Sequence, residues 1–184
     1  TALERDGESG EFTLTFKSGN SIQADRVVIT TGGSPRADGL SYLEKSGHSI
    51  EQPVPSLFTF NVEEAAFKQL MGTVVDPATV SIPATKFKAQ GALLITHWGM
   101  SGPAILKLSS HAARHLHERN YQETVSINWI NENDRSCVES ELQETASRNP
   151  QKLLTSTRPF APPSRLWQYL TERAGIAPER KWAE

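Results

Sequence analysis

Two short segments hold the residues whose types and spacing could do chemistry. The first is Thr30-Thr31-Gly32-Gly33, which follows the β-branched run Arg26-Val27-Val28-Ile29. Glycines directly after a buried strand let the backbone approach a bulky ligand, commonly a nucleotide. An ordinary turn at a strand end has the same pattern, so this segment alone leaves ligand binding and a plain turn both open.

The second segment is Ile95-Thr96-His97-Trp98-Gly99-Met100-Ser101-Gly102-Pro103. It predicts a strand, a glycine-spaced loop and then a helix, because proline is favoured at the first helical position after a cap at Gly102 or Ser101. Free N–H groups and the positive end of the helix dipole suit an anion or a polar ring edge there. His97 would donate a proton or a hydrogen bond in that loop. The alternative is a capped helix whose histidine packs against Trp98.

Other catalytic and metal chemistries fit the sequence less well. Gly99-x-Ser101 resembles a nucleophile elbow, but the elbow needs glycine where Pro103 stands, so a serine hydrolase is disfavoured. Histidines 111, 115 and 117 lie among basic residues without a His-Glu-x-x-His pattern, which favours a solvated cationic face over a metal site. Cys137 lies near acidic residues, which do not lower a thiol pKa, and is expected to be inert.

Composition limits the partners and the setting. The 184 residues carry 19 basic and 21 acidic side chains, a net charge of −2, which gives no electrostatic case for nucleic acid or a membrane surface. The single cysteine excludes an internal disulfide, and no apolar run is long enough for a membrane span. We expect a cytoplasmic protein. The start has no signal-peptide layout, in keeping with that expectation, and the missing initiator Met predicts a piece of a longer protein.

The first half of the chain is dominated by strand patterns. Residues 11–16 and 21–23 alternate around a turn and predict a hairpin, while residues 26–33 predict a strand buried on both faces. Residues 40–45 predict a short helix that ends at Gly47. Further along, the patterns predict a strand at 57–60, a helix at 62–70, and strands at 74–82 and 92–96. Pro77 and Pro83 favour an edge position for the strand at 74–82.

Helical patterns gather toward the end of the chain. The longest apolar stripe starts at Pro103 and ends at Asn120, and a strand is expected at 124–130. Helices are then predicted at 135–147 and 165–174, with a stiff proline-rich linker at 158–163 between them. Antiparallel strands followed by helices indicate an α+β fold.

Four motifs in order resemble the YhiN/BaiN-like flavoproteins, the FAD-dependent, aminoacetone-oxidase-like family. The motifs are Thr31-Gly32-Gly33; Ser46-Gly47-His48 with Pro53-x-Pro55-Ser56-Leu57; Thr96-His97-x-Gly99-x-Ser101-Gly102-Pro103-Ala104-Ile105-Leu106; and Leu166-x-x-x-Leu170-x-Glu172-Arg173-Ala174-Gly175-Ile176. The third is long and specific, and the resemblance covers nearly the whole chain. The chain departs from the family pattern after Gly33, where a longer Gly/Ser/Thr-rich stretch is usual.

The resemblance implies an insert domain attached to a remnant of a Rossmann-like FAD domain. Residues 1–36 would be the remnant and 37–184 the insert, with an antiparallel β half-barrel at about 52–131 and a small helical subdomain at about 132–184. Thr30, Thr31, Gly32 and Gly33 would pass near FAD. His97, Gly99, Ser101 and Gly102 would face the flavin and substrate, or would serve the architecture alone.

The expected function follows from that resemblance. The chain would be part of a FAD-dependent oxidoreductase, shaping the substrate side of the flavin site, with NAD(P)H as electron donor and His97 and Ser101 as catalytic candidates. Its partners would be the remainder of the FAD-binding domain and a small-molecule substrate, and alone it would be inactive. The rival expectation is a non-catalytic module that binds a substrate or partner. Because the FAD domain would normally cover residues 12, 14 and 16, we expect the first hairpin to fray or to pair with a neighbouring molecule.

Overall fold

A computed structural model describes residues 2–184 and divides the chain into two compact units, Thr1–Pro55 and Ser56–Glu184. Each unit has its own antiparallel sheet, with three strands in the first unit and five in the second. Helices accompany both sheets, so the predicted α+β class is confirmed. No helix within residues 2–184 combines the length and the apolar character that crossing a membrane requires.

The first unit is a meander followed by a short helix. Its strands are β1 (Ala2–Arg5), β2 (Phe12–Thr15) and β3 (Ser21–Ala24), paired in that order. The predicted hairpin is therefore confirmed, and β1 is an additional strand in which Leu3 pairs with Leu14. Helix α1 (Ser41–Lys45) follows a 3-10 turn and ends as predicted at Gly47, whose φ is +92°.

The expected buried strand at residues 26–33 is wrong. Residues 26–34 form no regular secondary structure, and Val28 keeps 86% of its surface exposed. A strand requires a neighbouring strand to take up its N–H and C=O groups, and the meander stops at β3. Within the described part of the first unit, this apolar run has no partner strand to bury it.

The second unit contains the half-barrel. Its strands are β4 (Phe60–Asn61), β5 (Val74–Ser81), β6 (Lys88–Ile95), β7 (Gly99–Ser101) and β8 (Ser126–Asn128). They lie in the order β4-β7-β6-β5-β8, and every neighbouring pair is antiparallel. The predicted antiparallel half-barrel is therefore confirmed.

One face of this sheet is covered by the helix that begins at Pro103. Alternate residues of β5 and β6 point into the core, and the fully buried ones include Val80, Leu93 and Ile95. Helix α3 (Pro103–His111) lies across β5 and β6 and buries Ile105 and Leu108 against them. The predicted apolar stripe continues through α4 (Ala113–Glu118), although Ala112 (φ −98°, ψ 11°) interrupts the single helix that was expected.

The edge position predicted for residues 74–82 is wrong, because β5 pairs with β6 on one side and with β8 on the other. The sheet accommodates Pro77 in two ways. The β5–β6 register shifts between Val75 and Ala78, and β8 pairs only with Thr79–Ser81. The proline therefore lies where one neighbour is irregular and the other has ended.

Several other elements are shorter than predicted, because hydrogen bonds outside the predicted element take up the backbone N–H groups of their terminal residues. The Phe58 N–H donates to Ser109 Oγ (3.1 Å), so β4 begins only at Phe60. The Val62 N–H donates to the Trp98 carbonyl (2.9 Å), so Val62 is bonded to the chain beside β7 and is not helical. Helix α2 therefore spans only Ala65–Lys68. The predicted strand at 124–130 is reduced to β8 for a similar reason, since the Ile130 N–H donates to Asn128 Oδ1 (3.2 Å).

The last part of the chain is helical, as predicted. Helix α5 (Arg135–Arg148) is capped by the Asp134 carboxylate, which accepts from the Ser136 N–H (2.8 Å). Helix α6 (Ser164–Arg173) ends before Gly175 (φ +72°) and buries Leu166 and Tyr169 in the core of the half-barrel.

Candidate functional site

The segment predicted as a glycine-spaced loop, residues 96–102, contains a strand at Gly99–Ser101. Leu94 pairs with Ser101 and Ile95 with Met100, so β7 folds straight back on β6. Thr96 closes the turn twice: its N–H donates to the Gly99 carbonyl (2.8 Å), and its Oγ1 accepts from the Gly99 N–H (3.1 Å). The expectation of a loop is therefore wrong at residues 99–101 and confirmed at residues 96–98 and at Gly102.

His97 and Trp98 form an exposed aromatic pair at this tip. Their ring centroids are 4.2 Å apart at 74°, an edge-to-face arrangement, and 42% of the Trp98 surface is exposed. Packing of His97 against Trp98, the alternative raised from the sequence, is confirmed. The role of His97 as a proton or hydrogen-bond donor toward a substrate stays a prediction.

The glycines of this motif allow close contact between backbones. A Cβ on Gly99 would lie 2.2 Å from the Phe60 carbonyl oxygen and 2.6 Å from the Val62 nitrogen. A Cβ on Gly102 would lie 2.7 Å from the Ala92 carbonyl oxygen, and its φ of +96° also favours glycine. Both glycines therefore have an architectural reason to be where they are, whatever else the hairpin does.

Ser101 lacks the surroundings of an activated nucleophile. It is half-buried in β7, and within residues 2–184 its hydroxyl has no hydrogen bond to a histidine or a carboxylate. Gly102, not Ser101, holds the cap position before α3, and no side chain caps that helix in the described chain. The geometry gives no support to a hydrolase.

Residues 30–33, the predicted flavin contact, lie in the first unit and are exposed. Gly32 has a φ of +77°, and a Cβ on Gly32 or Gly33 would meet nothing within 4 Å. The Thr31 hydroxyl lies 3.0 Å from the Tyr42 hydroxyl. The described residues of this unit thus build no cradle that fits a flavin by themselves, and the contact between residues 30–33 and FAD stays a prediction.

The histidines of α3 and α4 are engaged separately. His115 Nε2 lies 3.0 Å from Glu123 Oε2 with Phe87 beside its ring, and His117 Nδ1 lies 3.1 Å from the Tyr121 hydroxyl. Among the residues that the structure describes, no three His, Cys, Asp or Glu side chains are grouped to hold a metal ion. Cys137 is exposed, with its Sγ 3.8 Å from Asp134 Oδ2.

Hydrogen bonds to the Glu123 carboxylate lower its pKa below the ordinary value of 4.5. The largest cause is the Thr124 N–H, which donates to Oε1 (3.0 Å), and the second is the His115 imidazole. Arg119 lies 3.8 Å from the same carboxylate and adds a smaller electrostatic contribution. Glu123 thereby anchors the turn after α4.

A polar cluster that the sequence did not predict joins α6 to the segment before α2. The Tyr169 hydroxyl donates to Glu64 Oε1 (2.9 Å) and accepts from Arg173 Nη1 (2.7 Å), which also lies 3.2 Å from Glu64 Oε2. Burial, followed by the bond to Glu64, raises the pKa of the Tyr169 phenol. Tyr169 and Arg173 are one helical turn apart, but Glu64 precedes Tyr169 by 105 residues, so only the fold could bring the three together.

Comparisons with known proteins show one family model and two curated relatives that match this chain. A family model described as "HI0933-like protein barrel and H2TH domain" matches residues 54–184, the range that contains the half-barrel and the helices after it. The chain is 28% identical over 153 residues to a 3-dehydro-bile acid delta(4,6)-reductase of Clostridium scindens, covering 77% of this chain and 37% of that protein. It is 28% identical over 176 residues to the ribosomal RNA dihydrouridine synthase of Escherichia coli, covering 90% of this chain and 40% of that protein. The chain therefore spans about two fifths of the length of these curated relatives.

Proposed function

The chain belongs to the HI0933-like family of barrel and H2TH domains, and we propose that it serves a FAD-dependent oxidoreductase by shaping the substrate side of the flavin site. Membership confirms the resemblance seen in the four sequence motifs. The observation that carries the proposal is the family match over residues 54–184. The names of the two relatives support it, because one is a reductase and the other is a dihydrouridine synthase. Bound FAD would supply redox chemistry of that kind.

The proposal divides the work between this chain and the rest of a longer protein. Ser101 has no hydrogen bond to a histidine or a carboxylate among the described residues, and residues 30–33 are exposed with open space around Gly32 and Gly33. The remainder of a FAD-binding domain would complete the cofactor site around Thr30, Thr31, Gly32 and Gly33, with NAD(P)H as the electron donor. The 184-residue chain would then be folded and catalytically inactive.

For the substrate, we propose a small molecule. The names of the two relatives indicate different substrate classes, a bile acid and ribosomal RNA. A net charge of −2 gives this chain no general attraction for phosphates, which favours the small molecule. Fluorescence anisotropy with a ribosomal RNA fragment tests this choice: salt-sensitive binding by the chain would reverse it.

The oxidoreductase proposal is tested on the longer protein that contains this chain. We expect it to purify with a visible flavin band, or to gain one after FAD is added and the sample is desalted, and to lose that band on reduction by NAD(P)H. A protein that stays colourless after FAD addition would contradict the proposal.

A binding module without catalytic residues is the second candidate, favoured by the exposed His97–Trp98 tip and by the isolation of Ser101. The double variant His97→Ala/Ser101→Ala in the longer protein distinguishes the two, with His111→Ala as a control at an exposed histidine outside the motif. Unchanged turnover with altered affinity for substrate or partner would favour the module. A loss of turnover at full substrate saturation, absent in the control, would assign these residues to the chemistry.

A further inference from the structure

A groove of about 380 Å³ lies in the second unit, and its lining does not include the tip of the β6–β7 hairpin. Three segments form its walls: the first half of β5 with Asp76, the segment after β8 with Trp129 and Asn131, and the proline-rich segment before α6 with Phe160 and Pro162. From sequence alone this last segment is a stiff linker, and nothing in it predicts a groove.

Specific hydrogen bonds join the first two walls of the groove and hold the third. The Asn131 amide nitrogen donates to the Pro77 carbonyl, and its Oδ1 accepts from the Thr79 hydroxyl (2.5 Å) and from Gln90 Nε2 (3.1 Å). Across the groove, Arg158 Nη1 donates to the Pro162 carbonyl (2.7 Å). The groove is therefore formed before any ligand arrives, which lowers the entropic cost of binding.

Strained backbone is concentrated in the same walls. Asn131, Phe160 and Ala161 have φ values of +56°, +60° and +49°, a region that costs energy for residues other than glycine. Such residues persist where the surrounding structure holds them, and they gather at ligand sites and switches. Here they turn the chain so that Phe160 lines the groove.

The charge of the lining selects the ligand. Asp76 is the one ionisable side chain among the lining residues, and within residues 2–184 its carboxylate has no ion pair and no hydrogen bond to another side chain. Trp129 and Phe160 add aromatic surface, which attracts cations through the negative faces of their rings. Both features favour a cation, while the Arg158 guanidinium beside the groove is already bonded to the Pro162 carbonyl.

We propose that this groove binds a small organic cation, an ammonium or guanidinium group carried on an apolar framework. The cationic group would pair with the Asp76 carboxylate, and the framework would lie against Trp129, Phe160 and the prolines. The site does not depend on the flavin proposal, since no residue of the predicted flavin or substrate segments lines it.

The test uses the whole 184-residue chain and two probes of matched shape, 2-phenylethylammonium and the neutral 2-phenylethanol. Backbone amide NMR locates binding, and calorimetry gives the affinity. We expect both probes to shift the amides of residues 129–131 and 160–161, with the cation bound about fivefold more tightly at low salt and losing that advantage at high salt. Asp76→Asn should weaken the cation by about fivefold and leave the alcohol unchanged.

Two further variants separate a lost charge from a lost fold. Asp76→Glu should restore cation binding, and Glu118→Gln, which removes an equal charge from the end of α4, should have no effect. Equal affinity for the two probes, salt-independent binding, or shifts elsewhere than the groove would overturn the proposal. The salt series on the unaltered chain decides the matter even if the Asp76 variants fail to fold.

Discussion

The two compact units differ in how far they bury their apolar side chains. The second unit fully buries large residues from both the sheet and the helices, among them Leu93, Ile105 and Leu166. In the described part of the first unit, Leu3 is the one buried hydrophobic residue, at 5% exposure, while Val28 and Ile22 lie open. The second sheet has α3 across its face, whereas residues 26–29 have neither a partner strand nor a covering layer within the described first unit. Apolar patterning thus shows which residues require burial, but a second layer must exist to supply it.

The largest expected effect contrasts one leucine from each sheet. Leu93→Ala should destabilise the second unit by about 4 kcal/mol, because it leaves a cavity in a fully buried site. Leu14→Ala, at a half-buried position of β2, should cost the first unit about 1 kcal/mol. Residue-resolved amide NMR during a urea titration measures the free energy of unfolding for each unit. Equal losses at the two sites would contradict the contrast.

A pair of glycine substitutions sharpens the contrast further. Gly99→Ala should destabilise the second unit by about 3 kcal/mol, because its Cβ would overlap the backbone of β4. Gly19 also has a positive φ (+87°, against +155° at Gly99) but open space around it, so Gly19→Ala should cost about 1 kcal/mol. The same urea titration compares the two, and a Gly99 variant as stable as the Gly19 variant would refute close packing of β4 on β7.

The cluster of Glu64, Tyr169 and Arg173 predicts a smaller effect. Tyr169→Phe removes a hydroxyl that is bonded on both sides in a side chain only 8% exposed, and should cost about 1 kcal/mol. Tyr121→Phe removes an exposed hydroxyl that contacts His117 and should cost close to nothing. Thermal unfolding of both variants provides the comparison; a neutral Tyr169→Phe would show that the cluster contributes no stability.

The smallest effect is the dependence of the second unit's stability on pH that comes from Glu123. Its pKa is lower in the folded chain than the ordinary 4.5, so the unfolded chain binds the proton more readily. The stabilisation is therefore complete above about pH 4.5 and is lost as the pH falls through the folded pKa. Glu123→Gln should reduce the loss of stability between pH 5 and 3, while Glu118→Gln should not. Identical pH profiles for the two variants would contradict the assignment.

Much of the half-barrel could be predicted from the sequence, because its signals are local. Pro103 before an apolar stripe predicts α3, and Gly175 after another predicts the end of α6. Strand β7 could not be predicted, because three residues are too few to show an alternating pattern. It also begins at Gly99 and is followed by Gly102, and glycines are typical of turns. The groove at Asp76 could not be predicted either, since its walls come from three segments that are distant in sequence.

In the candidate site, too, the local motif could be predicted and the tertiary contacts could not. The Thr96–Pro103 motif could be located from spacing alone, but its packing role at Gly99 depends on β4, which lies some forty residues earlier. The bond between Tyr169 and Glu64 likewise depends on tertiary structure. The expectation that the first hairpin frays or pairs with a neighbour stays a prediction, and amide exchange across β2 and β3 in a monomeric sample measures it.

The most direct test of the central claim is a visible absorption spectrum of the purified 184-residue chain, taken before and after FAD is added and the sample is desalted. The account places the flavin site largely outside this chain, so the desalted protein should be colourless. A retained flavin band would show that these residues hold the cofactor themselves and would contradict their assignment to the substrate side of the site.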